Sequence, residues 1–334
     1  MSDPIVTVVV PTLAAGAALA DCLESLDTQT FDPFEIVVVD NSGAGRARVS
    51  GRRARVIVNS GNAGFARAVN QGIRSSHAAY VATLNDDAIA DRRWLETLMA
   101  CAESHPEAGM FASQVRLMGT LTLDSAGMLM AADGSSKQRG HERPTLDFAD
   151  QSVTLFPSGC AALYRRRMLD HIGFFDESFF LYCEDADLGL RAQWAGWECR
   201  YVPGAVVEHH YSHSAGRASP LKAYYAERNR LYTVIKNFPP RLLWRVPFAC
   251  VWRYLWHLAA MIAGKGKTAE FRQSGYSAFL FPILVLRAHI ATLARLPWLL
   301  ADRRRIRESR RIAAGEFIAL IEKHAIGVRR VAWL

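Results

Sequence analysis

The sequence predicts an α/β chain, a mostly parallel sheet with helices on both faces, followed by a basic helical region of different character. Apolar runs of strand length alternate with stretches of helical periodicity through the first hundred residues. The apolar runs are nearly continuous, the pattern of strands covered on both faces. The charge is also divided: residues 1–214 hold 18 Lys+Arg against 26 Asp+Glu, and residues 215–334 hold 22 against 6, within a net charge of +8. That split predicts two regions, a catalytic one over 1–214 and a basic, Trp-rich one over 215–334.

The elements follow in order. "IVTVVV" (5–10) reads as a buried strand. Leu19, Leu23 and Leu26 lie at helical spacing in 17–29. "FEIVVVD" (34–40) is a second strand ending in the turn cluster Asp40-Asn41-Ser42-Gly43, and 54–59 is a third. Phe65, Val69 and Ile73 mark a helix over 64–76. A fourth strand over 79–87 ends in Asp86 and Asp87, with a helix over 91–104 after it. Ligands bind beyond the carboxyl ends of strands in such sheets, so the pattern alone nominates Asp40, Asp86 and Asp87. Short strands are predicted near 109–116 and 126–132, and a loop over 133–151. The six cysteines are scattered without a CxxC pair, which argues against a disulfide framework or a zinc site and fits a reducing compartment. The N-terminus lacks a basic segment before its six-residue apolar run and reads as a strand rather than a signal peptide.

Beyond 215, two stretches (241–264 and 278–300) are long enough to span a bilayer, but each contains arginines. Arg241, Arg245, Arg253 and His257 recur every four residues or multiples of four, a polar stripe beside Trp244, Trp252 and Trp256. An interfacial helix has that composition, and a mid-helix Arg costs about 2.5–3.5 kcal/mol in a spanning one. An ordinary helical subdomain with a solvated basic face is the alternative. Long apolar runs in the tail fit lipid better than a nucleic-acid backbone, so no nucleic-acid partner is expected.

Three groups of residues carry chemistry. "TLNDDA" (83–88) places adjacent carboxylates at a strand end, suited either to a hard divalent cation or to an Asx turn capping the next helix. "VVEHHYSHS" (206–214) supplies His209, His210 and His213, one of which can complete a site begun by distant carboxylates. "FFLYCEDADLGLR" (179–191) crowds Glu184, Asp185 and Asp187 into four positions. A helix starting near Glu184 would relieve that charge through its dipole, and Asp187 and Arg191 become i,i+4 partners. Glu184 and Asp185 then stand at the helix mouth, as capping groups or as a general base.

In this order "VVVPT", "VVVDNSG", "NAGFARAVNQGI", "LNDDA", "GCAALYRRRMLDHIG…CEDADLGLRAQWAG", "VVEHHYSHS" and "AERNRL" resemble family 2 of the inverting glycosyltransferases, rhamnosyltransferase-type members above all, over about residues 5–235. The resemblance implies a GT-A fold, a nucleotide-sugar donor, and Mg²⁺ or Mn²⁺. Pro11 and Thr12 match the donor end of the first strand, and Asp40 matches the residue that contacts the base. Asn62, Gly64 and Asn70 match the nucleotide-side loop and helix. Asp87 matches the last carboxylate of the metal motif, with Asp86 beside it, and His209 matches a histidine that can join the metal. Asp185, with Glu184 beside it, matches the catalytic base. Leu13-Ala14 departs from the usual Tyr-Asn, which removes a stacking aromatic and an amide from the base or sugar contacts on that side; no Gln-x-x-Arg-Trp follows the carboxylates, so one or a few sugars per encounter are expected.

By likeness the donor is deoxythymidine-diphosphate-rhamnose and the acceptor a polyprenyl-diphosphate-linked or glycan hydroxyl. The expected place is cytoplasmic, on the inner surface of the cell membrane. The mechanism requires Asp87 and Asp185 to flank the same scissile bond. Two alternatives stay open: a carbohydrate-binding protein with a decayed site, and a nucleotidyltransferase making a nucleotide sugar.

Overall fold

The computed structural model describes residues 3–13, 16–49, 53–210 and 219–333. In chain order its elements begin β1 (Val6–Thr12), α1 (Ala17–Asp27), β2 (Phe34–Asp40), β3 (Ala54–Val58), α2 (Phe65–Arg74), β4 (Tyr80–Leu84), β5 (Ala88–Ala90), α3 (Trp94–Ser104) and β6 (Ala108–Leu117). Next come β7 (Leu123–Ser125), β8 (Met128–Ala131), β9 (Ser136–Gln138), β10 (Ser152–Thr154), β11 (Ala161–Arg165), α4 (Arg166–Ile172), α5 (Glu184–Trp194) and β12 (Glu198–His209). The remainder is α6 (Pro220–Asn237), α7 (Pro240–Leu243), α8 (Val246–Ile262), α9 (Gly266–Gln273), α10 (Leu280–Glu308), α11 (Ala314–Lys323), β13 (Ala325–Ile326) and α12 (Val328–Trp333). The stretch expected as a loop over 133–151 contains β9 and a short 3₁₀ turn at Thr145–Phe148.

The chain forms two compact units. The first comprises Met1–Met128, Gln138–Phe180 and Trp197–Ser214, and the second Leu129–Lys137, Leu181–Gly196 and Ala215–Leu334.

The first unit is built on a sheet of order β10-β12-β6-β11-β4-β1-β2-β3. β1, β2, β3 and β4 run parallel, β11 is antiparallel to both β4 and β6, and β12 is parallel to β6. β-branched valines fill β1 and β2, and Val8, Val9, Val10, Val37 and Val38 are fully buried. A parallel strand covered on both faces needs such residues, each contributing about 1.5–3 kcal/mol relative to exposure. Trp94, fully buried at the start of α3, donates its indole N–H to Ser113 Oγ at 2.8 Å, satisfying the polar edge of a large apolar ring.

The second unit is mostly helical, with the 129–137 hairpin pairing to β13 through Ala325↔Met130 and Ile326↔Ala131. α10 packs on α6, and Leu284, Ala288, Thr292 and Leu299 are among its buried residues. A buried ionic network ties the hairpin to α6 and α8. Arg253 lies 2.6 Å from both Asp133 and Glu227, Arg230 pairs with Glu227, and the Tyr254 hydroxyl donates to Glu227 at 2.6 Å. Burial raises the cost of the Glu227 charge, but Arg230 and Arg253 outweigh it and hold the carboxyl well below its ordinary pKa.

This network corrects the expected polar stripe. The stretch 241–264 is divided into α7 and α8, with Pro247 in the first turn of α8. Arg253 faces inward to its carboxylates, and burial together with Arg253 drives the His257 pKa down to about 4. Trp244, Phe248 and Trp252 remain exposed at 62%, 69% and 58%. Among the described residues one helix, α10, is long and apolar enough to cross a membrane, with mean hydropathy 1.4. α7–α8 together with α9 pass the same test as a pair bent by 50°.

Candidate functional site

The parallel register builds the first part of the site. Thr12 stands opposite Asp40 across β1 and β2, and Val9 stands opposite Thr83 across β1 and β4. The carboxyl ends of β1, β2 and β4 therefore share one edge, with Asn85-Asp86-Asp87 as the turn leaving β4. Thr12 is buried, and its hydroxyl bonds the Asp86 carboxylate, which also accepts from the Leu13 backbone. Burial, partly offset by Thr12, raises the Asp86 pKa, and the Asp87 charge adds to it. Pro11 lies half-buried at the same edge. Ala14 and His213 lie outside the described residues.

Asp40 is fully buried. Its Oδ1 accepts from Ser42 N and its Oδ2 from Ala47 N, both at 2.8 Å. Burial opposes its charge, but these backbone donors prevail and hold its pKa below the ordinary value. The contacts of Asp40 thus shape the 40–47 loop. Asn62 Oδ1 accepts from Gly64 N at 2.9 Å, and Gly64 adopts φ +84, where a Cβ would sit 2.4 Å from Phe180 O. Only glycine fits that approach, which lets Phe65 N reach Phe180 O at 2.7 Å. Asn70, 1% exposed, donates to Phe175 O at 2.8 Å and to Glu177 at 3.0 Å, and accepts from Phe175 N at 3.1 Å. Its amide pins the 175–177 segment to α2.

β5 brings the histidine in. His209 pairs with Ala88, and His210 N donates to Asp87 O at 3.0 Å. His209 Nε2 then lies 3.2 Å from Asp87 Oδ1, and its Nδ1 lies 2.8 Å from Asp124 Oδ2. Asp124 is 3% exposed on β7, and His141 Nδ1 lies 3.3 Å from its Oδ1. Burial opposes a charge on His209, but the Cys160 sulfur and the Asp124 and Asp87 carboxylates outweigh it and hold the pKa well above the usual value. Asp124 carries no sequence signal tying it to His209, 85 residues away; a carboxylate within the apolar "TLTLDSAG" was the one clue.

The residues present fit a divalent cation. His209 Nε2 is buried without a hydrogen-bond partner among the described residues, facing a carboxylate oxygen. Their 3.2 Å separation is close to the ~3 Å between adjacent ligands of an ion with arms of about 2.1 Å. Two protein ligands suit Mg²⁺ or Mn²⁺, whose other positions go to phosphate and water. Among the described residues no cluster of three His, Cys, Asp or Glu side chains has metal-binding geometry.

In the second unit, α5 begins at Glu184 after Tyr182 and Cys183, both with positive φ. Asp187 is fully buried and receives Arg191 at 2.9 Å, Lys236 at 3.0 Å and Asn237 at 2.9 Å, so the i,i+4 pair forms within a larger network. Glu184 behaves differently from a charge eased by the helix start. Burial first, then the neighbouring Asp185, push its pKa up to about 8, and its Oε2 has no hydrogen-bond partner among the described residues. The crowding is relieved partly by protonation. Asp185 is half-buried, and its Oδ1 accepts from Ala186 N at 2.7 Å.

The model of the family described as glycosyl transferase family 2 matches residues 7–173. The chain is 30% identical over 255 residues to N-acetylglucosaminyl-diphospho-decaprenol L-rhamnosyltransferase of Mycobacterium tuberculosis, covering 67% of this chain and 82% of that protein. It is 39% identical over 81 residues to rhamnosyltransferase WbbL of Escherichia coli, covering 24% of this chain and 30% of that one. A crystal structure of GalNAc-T7 with UDP, GalNAc and Mn²⁺ superposes with a TM-score of 0.55 at 14% identity, over 70% of this chain and 48% of that one, which shows the shared GT-A fold. By matched family model, relatives and fold, the chain belongs to glycosyl transferase family 2 and is a glycosyltransferase.

Proposed function

We propose that the protein transfers a deoxyhexose such as rhamnose, with inversion, from a nucleoside diphosphate donor to a hydroxyl of a polyprenyl-diphosphate-linked acceptor, in cell-surface glycan synthesis. The observation that carries this reading is the pairing of Asp87 with a buried His209 nitrogen that lacks a hydrogen-bond partner, at the carboxyl edge of the sheet. The names of the relatives support the sugar and the lipid carrier, and the Mn²⁺ bound by GalNAc-T7 supports the ion.

Asp87 and His209 would hold Mg²⁺ or Mn²⁺, which supplies charge neutralisation for the departing diphosphate. Asp124 acts through His209: by accepting the hydrogen bond from Nδ1–H it fixes the tautomer with the Nε2 lone pair facing Asp87. Thr12 and Asp86, with Pro11, set the donor edge of β1, and the Asp40 loop and the Asn62–Gly64 turn form the nucleotide side. Asn70 supports that side by holding the 175–177 segment. Asp185 removes the acceptor proton in a single in-line displacement. Burial and the neighbouring Asp185 charge keep Glu184 protonated.

The exposed apolar and aromatic residues of α8 and α10 support peripheral attachment to the inner face of the cell membrane, where a lipid-anchored acceptor is found by two-dimensional search.

The test is a panel of nucleotide sugars with polyprenyl-diphosphate-linked N-acetylglucosamine as acceptor, with Mn²⁺ and with EDTA, scoring anomeric configuration by NMR. Deoxythymidine-diphosphate-rhamnose is expected to be turned over with inversion. Transfer that persists unchanged in EDTA would defeat the metal assignment.

A further inference from the structure

Arg303, near the end of α10, is 7% exposed, and its recorded partner among the described residues is the Ile235 carbonyl, 2.7 Å from Nη1. A guanidinium so buried ordinarily stands against a carboxylate, because a charge taken out of water without compensation is costly. Here the nearby carboxylates are committed elsewhere. Asp302 faces Arg305 at 3.4 Å and Lys236 at 3.8 Å, and Glu308 pairs with Arg304 at 3.0 Å. The charge closest in effect is of the same sign: burial and Arg307 together pull the Arg303 pKa down to about 10.

Arg303 and Arg307 line a cavity of about 410 Å³. Its lining includes Arg303, Arg307 and Arg310, the Glu308 carboxylate that Arg304 holds, and the apolar Trp194, Phe238 and Pro239. The apolar wall is rigid: the Trp194 ring stacks on Phe317 at 4.0 Å and donates its N–H to Asn237 O at 2.9 Å. Lys236, also on the lining, is held by Asp187 at 3.0 Å and so lends no free charge.

We infer that this cavity binds a phosphate group carried by an amphiphile, the phosphate on Arg303, Arg307 and Arg310 and the adjoining apolar part on Trp194 and Phe238. Guanidinium forks match phosphate oxygens in pairs, and an anion here removes the repulsion between Arg303 and Arg307. The same helix points to an amphiphilic source. Immediately before the arginines it exposes Ile290, Leu293, Trp298 and Leu300, an apolar surface followed by a headgroup-binding cluster. The cavity shares no residue with the proposed donor site, and only the amphiphilic source rests on the membrane reading of α10.

The experiment uses the full chain in EDTA, which disables a metal-dependent donor site. Dihexanoyl phosphatidic acid below its micelle concentration and inorganic phosphate are titrated calorimetrically against wild type, Arg303→Met and Arg307→Gln. Saturable binding weakened at least tenfold by each substitution is expected, with the lipid binding at least tenfold more tightly than phosphate. Equal affinities would support the phosphate site and overturn its amphiphilic source. Absence of saturable binding by either probe, or affinities unchanged in Arg307→Gln, would overturn the site. Arg307 is exposed, so that variant carries the test even if Arg303→Met does not fold. If vesicles fail to recruit the protein while the soluble probes bind, the membrane reading fails and the phosphate site stands.

Discussion

Asp124 Oδ2 lies 2.8 Å from Nδ1 of His209, and the opposite nitrogen of the same ring faces Asp87 Oδ1 at 3.2 Å. A histidine held between two carboxylates has one nitrogen oriented by the first and the other presented to whatever the second holds. Such orienting partners are worth about 10–100-fold in metal affinity or activity. Asp124→Asn allows an amide to donate to Nδ1, which moves the ring proton to Nε2. Half-saturating Mn²⁺ in a transfer assay should rise about 10–100-fold, and NMR of the metal-free protein, at a pH alkaline enough to make the His209 ring neutral, should show the changed tautomer. An unchanged Mn²⁺ requirement would refute the assignment.

Asp185→Asn tests the base. It removes a proton acceptor while keeping shape, so transfer should fall by about 10²–10⁴. Donor affinity, measured by calorimetry with Mn²⁺, should stay within a few-fold of wild type. Loss of donor binding instead would move Asp185 out of the acceptor side.

Glu184 makes stability depend on pH with a definite sign. Its pKa of about 8 in the folded protein compares with 4.5 as its ordinary value. Between those limits the folded state keeps a proton that the unfolded chain has lost, so stability falls as pH rises from about 4.5 to about 8. Urea titrations across that range should show the decline for wild type and a flatter profile for Glu184→Gln. A wild-type profile equally flat would contradict it.

Glu227→Ala breaks the buried network of the second unit. Arg230 and Arg253 would then face Asp133 as their one remaining carboxylate among the described residues. Breaking such a pair costs about 3–5 kcal/mol, so the urea midpoint should drop strongly. A shift of less than about 1 kcal/mol, the scale of an exposed pair, would show the network to be solvated.

Gly64→Ala places a Cβ where φ is +84 and Phe180 O is 2.4 Å away. Strain at such a position costs on the order of 1–3 kcal/mol. The thermal midpoint should fall and the KM for the donor should rise, through displacement of the 62–65 turn. A variant as stable as wild type would show that the 180 segment yields freely.

The sequence determined the local architecture of this protein. Near-continuous valine runs can be satisfied only by strands covered on both faces, which fixed β1 and β2 and the edge where Thr12, Asp40 and Asp86 stand. The i,i+4 spacing of Asp187 and Arg191 likewise follows from helix geometry alone. What needed the tertiary structure were relationships carried by no spacing. Asp124 reaches His209 because β7 and β12 both pair with β6. Arg253 turns inward because Asp133 and Glu227 wait beneath α8, though its periodicity put it on a polar stripe. Glu184 holds its proton because burial and the neighbouring Asp185 charge outweigh its backbone hydrogen bond. Periodicity reports which residues share a face; desolvation and long-range pairing decide what that face meets, and both arise only when distant segments pack.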